Sequence, residues 1–332
     1  MRANKIIIQD YMRNSLKSEI NQLITRSGIV SITNAEKGNP TEPELTLELA
    51  KEIAYGLYNS LSLSIKEYNF CVHAIFCHQC PKVVFDYPKT SKKASCELGD
   101  LLFIYDEKGQ EQGNAMLLQA KKSRGLKFRA YGNESVQLNL YKNWYKFNYQ
   151  NTAFSTESRI IELSDLTAAQ YLLMFPPFDN NSQYRCILPN NIENTSLAYT
   201  DLFSENLVDL FTYEKGGKYD VTLSKNSSDW SALIHDLLKI NEVLECSNII
   251  YKHRDFSKKE YYLQEFIDSK ICGKSSGDKY TYSCFDNTEL YEFISQNNKY
   301  NNICDIGKRE SSFLIFHIFS IKNDKEPFNG KM

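Results

Sequence analysis

Asp100, Gln119 and Lys121 are residue types that together can hold a divalent cation and steady a water beside it. Their spacing ties them to one local structure. Glu97-Leu98-Gly99-Asp100 leads into the apolar run Leu101 to Tyr105, and the apolar run Ala115 to Leu118 leads out to Gln119-Ala120-Lys121. Strand side chains alternate between faces, so Gln119 and Lys121 project together and Ala120 points the other way. The segment Asp106 to Gly113 is polar and holds two glycines, as a turn requires. The whole reads as a β-hairpin with an acid at the start of one strand and an amide and an ammonium at the end of the next. Short continuous apolar runs suit strands covered on both faces, hence a sheet with helices packed against it.

This order of Asp, strand and Gln-x-Lys resembles the PD-(D/E)xK nuclease superfamily, in the branch whose second acid is Gln. The resemblance spans roughly residues 44 to 150, and its specificity lies in the hairpin. Gly99 stands where the name-giving Pro would be, and Gln119 brings no charge, so the set is one carboxylate short. The resemblance implies an α/β fold of the restriction-endonuclease-like kind, a mixed central sheet flanked by helices. It implies Mg²⁺ or Mn²⁺ as cofactor and phosphodiester hydrolysis as the reaction, with DNA as substrate. Asp100 would bind the metal, Gln119 would be a ligand through its carbonyl, and Lys121 would position or activate the water. Glu97 is a second acid beside Asp100. In the superfamily a helix ahead of the sheet often donates a Glu; Glu48 and Glu52 are the candidates, and the resemblance implies Glu48 as a metal ligand. The setting implied is bacterial restriction or anti-phage defence, with a homodimer or a defence-system partner protein. A non-catalytic nucleic-acid-binding or interaction subunit that keeps the fold is the alternative reading.

Composition bounds these expectations. A net charge of -2 and a pI near 6.3 give no global signal for nucleic acid, so contact must come from a local patch. Lys121, Lys122, Arg124, Lys127 and Arg129 follow the hairpin and could neutralise phosphates; an ordinary solvated charge run is the competing account. The start of the chain lacks the pattern of a secretory signal, and no window approaches an uncharged membrane span, so a cytoplasmic chain without a membrane partner is expected. Nine cysteines are then most simply reduced thiols. Cys71, His73, Cys77 and Cys80 invite a zinc reading, but only one C-x2-C pair has the spacing. Cys272 to Gly277 lacks the spacing of a phosphate-binding loop.

The elements that must position the hairpin follow from periodicity. Residues 9 to 28 predict an amphipathic helix with Tyr11, Leu16, Ile20, Leu23 and Ile24 in its stripe. Thr41 and Glu44 form a capping box that opens a second helix to about Leu63, with Leu45, Leu49, Ile53, Leu57 and Leu61 inward. Strands are predicted at Phe70 to Phe76, Lys82 to Tyr87, Arg159 to Leu163 and Gln170 to Phe175, and near the C-terminus at Phe313 to Phe319. Gln137 to Phe147 predicts an aromatic helix covering the sheet, and Asp229 caps a last clear helix. The expected organisation is a helical segment over 1–40, a nuclease core over 41–177, and a mixed α/β extension over 178–332 that is either separate from the core or continuous with it.

Overall fold

The computed structural model describes residues 10–238 and 312–322, apart from 36–37, 66–67, 79–80, 89–91, 108, 124–129, 131, 153, 164–165, 176–183 and 194–195. Helices α1 (Asp10–Asn34) and α2 (Glu42–Ser64) open it and pack on each other. α2 starts where the sequence predicts. The Glu44 N–H donates to the Thr41 hydroxyl at 3.4 Å, and the Thr41 N–H donates to the Glu44 carboxylate at 2.6 Å. This reciprocal cap satisfies two N–H groups that the first turn leaves without partners. All five leucine and isoleucine residues of the predicted α2 stripe are buried. In α1 the stripe from Leu16 to Ile24 is buried, whereas Tyr11 is exposed.

The strands are β1 (Tyr68–His78), β2 (Lys82–Tyr87), β3 (Lys92–Glu97), β4 (Leu101–Glu107), β5 (Gln112–Lys122), β6 (Phe147–Tyr149), β7 (Ala169–Met174), β8 (Arg185–Ile187), β9 (Thr200–Leu202), β10 (Gly217–Asp220) and β11 (Ser312–Lys322). The main sheet has the order β1-β11-β4-β5-β7-β8-β9, with β10 paired to the first half of β5. β11 runs parallel to β4 and β7 parallel to β5, and the other pairs are antiparallel. The sheet is therefore mixed. A smaller sheet has the order β3-β2-β6.

Alternation sorts the central strands onto two faces. Leu102, Ile104, Ala115, Leu117, Tyr171 and Leu173 join the core shared with α3 (Asn133–Asn143), α5 (Asp229–Leu238) and the small sheet. Leu101, Phe103, Met116, Leu118, Ala120 and Leu172 join the core shared with α1, α2 and α4 (Phe203–Phe211). The apolar runs of β4 and β5 are thus two interleaved sets, each covered by helices, as unbroken hydrophobic strands require. The protein is a mixed α/β fold with a mixed sheet flanked by helices. The main sheet runs across residue 177, since β8 to β11 complete it. Among the described residues no helix is long and apolar enough to cross a membrane.

Two predicted elements differ from what forms. The aromatic helix stops at Asn143, because Trp144 takes a left-handed conformation with φ 44°. Phe147 lies instead in β6, paired with Phe85. The predicted strand from Arg159 reduces to one bridge between Arg159 and Phe147.

Arg159 earns its place through its side chain. Its Nε and Nη2 reach Asp236 of α5 at 2.9 and 2.8 Å, and both residues are buried. Removing one partner of a buried ion pair strands the other charge. Arg159→Met is expected to cost about 3 kcal/mol in urea unfolding, and Arg159→Met with Asp236→Leu to recover most of it. Equal losses in the single and double variants would count against this pairing.

Candidate active site

Hairpin register assembles the site. Leu101 pairs with Leu118, and one step back on β4 is one step forward on β5, so Asp100 falls opposite Gln119. The Asp100 N–H donates to the Leu118 carbonyl at 2.9 Å, which extends the ladder to that point. On the other side β7 sets Tyr171 beside Gln119. Glycine at position 99 has a steric reason. A Cβ there would lie 2.7 Å from Leu117 Cδ1 and 3.0 Å from the Tyr141 hydroxyl. That hydroxyl donates to the Leu98 carbonyl at 2.7 Å and pins the turn into β4.

Asp100 is buried, and its Oδ2 accepts hydrogen bonds from the Ala120 N–H at 2.8 Å and from Gln119 Nε2. Burial pushes its pKa well above the usual carboxylate range. Lys121 opposes that shift, while Glu42 and Glu97 add to it. The Gln119 carbonyl oxygen accepts from Gln137 Nε2 of α3, and the same nitrogen donates to the Glu97 main-chain carbonyl at 3.0 Å. Lys121 Nζ lies 2.9 Å from Glu42 Oε1, and the Lys122 N–H donates to Glu42 Oε2 at 3.0 Å. Burial works against the Lys121 charge, but Glu42 and Asp100 outweigh it and raise the lysine's pKa, with Glu134 of α3 adding to them.

Asp100, Gln119 and Lys121 therefore come together, with Glu97 acting through its charge and its carbonyl. The α2 acid that meets Lys121 is Glu42. Glu42 is the first residue of α2, whereas Glu48 lies six residues on, about 9 Å of helix rise away. Glu52 pairs with Arg26 of α1 at 3.5 Å. The Gln119 carbonyl, predicted to face a metal at Asp100, is turned to Gln137, and its amide nitrogen faces Asp100. Lys122, predicted to touch nucleic acid, places its ammonium against Asn39 Oδ1 at 2.7 Å and the Pro40 carbonyl. It ties the α1–α2 connection to the end of β5. Arg124, Lys127 and Arg129 lie outside the described residues, as do the side chains of the Cys71–Cys80 cluster and residues 252–277.

Sequence reasoning missed Glu42, Gln137 and Glu134. Glu42 carried one usable signal, an acid directly after the N-cap of the helix that precedes the hairpin. Gln137 sat in a stripe read for its aromatics. Among the described residues no three His, Cys, Asp or Glu side chains converge to hold a metal ion by themselves. The donor chemistry nonetheless suits a hard cation. Asp100 and Glu42 are oxygen donors that both act electrostatically on one lysine, and Mg²⁺ takes only one or two carboxylates when waters and phosphate complete its shell. No family model, curated protein or solved structure matches the chain.

Proposed function

We propose that this chain is a nuclease of the PD-(D/E)xK kind, dependent on Mg²⁺ or Mn²⁺, that hydrolyses phosphodiester bonds in DNA. The observation that carries the reading is the meeting of Asp100, Gln119 and Lys121 with Glu42 at one end of the β4–β5 hairpin. The restriction-endonuclease-like arrangement of the sheet is the fold reading that goes with it. Asp100 and Glu42 would hold the cation, which when bound supplies Lewis acidity and a more acidic water. Lys121, kept cationic by two carboxylates, holds the attacking water by a hydrogen bond and faces the charge that develops on the phosphate. Gln119 and the Ala120 N–H fix the Asp100 carboxylate. A homodimer or defence-system partner, and a role in restriction or anti-phage defence, rest on the resemblance alone.

A second reading, a non-catalytic nucleic-acid-binding or interaction subunit, draws on one observation. Asp100 and Lys121 are both buried, and both are already engaged by protein partners. Incubation of plasmid and single-stranded DNA with Mg²⁺, Mn²⁺ or EDTA separates the two. The nuclease reading expects cutting that needs the cation and vanishes in Asp100→Ala and Lys121→Ala. No cutting under any cation, with no Mg²⁺ or Mn²⁺ binding that depends on Asp100, favours the second, whereas cutting that survives both substitutions overturns the assignment of the hairpin as the active site.

A further inference from the structure

We propose that Gln137 is a positioning residue that sets the polarity of the Gln119 amide and thereby holds down the affinity of the Asp100 site for a divalent cation. The inference rests on the nuclease reading of that site. Its starting point is a group whose role in a hydrogen bond is not in doubt. A main-chain carbonyl only accepts, so the Gln137 atom 3.0 Å from the Glu97 oxygen is the amide nitrogen. The same NH₂ group donates to Gln119, so Gln119 turns its oxygen to Gln137 and its own NH₂ to Asp100. The Asp100 carboxylate, an acceptor, closes the chain with the same polarity. Both ends therefore fix the middle.

A cation beside Asp100 would favour the opposite arrangement. Hard cations take amide oxygens and repel amide hydrogens. Gln119 must turn over to present its carbonyl, and the turned NH₂ then meets the NH₂ of Gln137. Turning Gln137 as well would set its oxygen against the Glu97 carbonyl. One of two mismatches follows, donor against donor or acceptor against acceptor. Gln119 and Gln137 are 1% and 6% exposed, so bulk water is poorly placed to relieve either one. Gln137 is also held in place. Leu138, Leu140 and Tyr141, which follow it in α3, are core residues, and the Tyr141 hydroxyl donates to the Leu98 carbonyl.

Calorimetric titration of the full chain with Mn²⁺ tests this, alongside the Mn²⁺-induced rise in melting temperature. Wild type is compared with Gln137→Met, Gln137→Ala and Asp100→Asn. Methionine keeps the side-chain length, and alanine is the best helix former, so at least one variant keeps α3. Both Gln137 variants are expected to bind Mn²⁺ about tenfold tighter than wild type, roughly the worth of one buried hydrogen bond, with binding lost in Asp100→Asn. Direction is the diagnostic, since damage to α3 weakens binding whereas release of the amide strengthens it. Binding that depends on Asp100 but is unchanged or weaker in the Gln137 variants overturns the proposal and leaves the nuclease reading standing. If no protein shows Asp100-dependent binding, the reading of the site falls and the proposal falls with it.

Discussion

Asp100→Asn is expected to abolish cleavage while making the folded protein more stable. The loss should be at least about 10³-fold in rate, the scale of several kcal/mol that charge stabilisation by a held cation supplies. The gain has a separate cause. Asp100 is buried with Glu42 and Glu97 in electrostatic range, and burial raises its pKa well above the ordinary value. Asparagine has the same shape, and its oxygen can still accept from the Ala120 N–H and Gln119. About 1 kcal/mol of stability, or about 2–4 °C in melting temperature, is therefore expected at pH 7 in EDTA. The pH dependence follows in sign. An acid whose folded pKa is raised binds more protons folded than unfolded, so wild-type stability falls as pH rises from the unfolded value toward the folded one. Below about pH 4 the carboxyl is protonated in both states, and the advantage of the variant should vanish. A variant that still cuts, or that melts below wild type at pH 7, would contradict this account of the site.

Deleting residues 312–332 is expected to remove cooperative folding altogether. β11 lies between β1 and β4, antiparallel to the first over all of Tyr68–His78 and parallel to the second over Leu101–Glu107. Its loss breaks both ladders and takes Ile318 out of the core beneath α1 and α2. With each ladder bond worth about 1 kcal/mol net, the sum rivals the whole stability of a domain, about 5–15 kcal/mol. The truncated chain should fail to give a sigmoidal melt by circular dichroism and should partition to the pellet, since β4 becomes an open apolar edge. Ile318→Asp tests the same strand more gently and should lower the melting temperature by several degrees. A truncated chain that stays soluble and melts cooperatively would remove β11 from the core.

What could be read ahead of the fold was whatever local pattern determines. Apolar runs of strand length around a glycine-bearing turn gave β4 and β5, and the Thr41–Glu44 box gave the start of α2. What could not be read was set by distant neighbours. The run near residue 315 was legible as a strand, yet nothing in it says that it lies beside β4 instead of at an edge. The end of α3 was hidden because the left-handed stop falls on Trp144, where the usual glycine signal is missing. Glu42 is not singled out by the sequence, because Glu44, Glu48 and Glu52 are further acids on the same helix and spacing alone does not say which of them reaches the hairpin. The terminus is what points at Lys121. Gln137 was invisible for a related reason. Its partners, Gln119 and the Glu97 carbonyl, are brought to it only by the packing of α3 on the sheet.

The hairpin is fastened at both of its ends. Beyond the site, the Tyr219 hydroxyl donates to Asp106 Oδ1 at 2.5 Å, and the Asn114 amide donates to the carbonyls of Leu210 and Lys215 at 2.9 and 2.7 Å. Register and chemistry thus share one degree of freedom. Slide β5 by one residue against β4 and Ala120 takes the place of Gln119, with Gln119 and Lys121 turned to the opposite face of the sheet and away from their present partners. Length change is consequently partitioned along the hairpin. Gly109 at its tip, with φ 84° and nothing near the position of a Cβ, sits where extra residues would leave the pairing untouched. Between Gly113 and Lys121 a single added residue would exchange the two faces of the sheet, so lineages of this chain should vary in the loop and stay fixed in count along the strand.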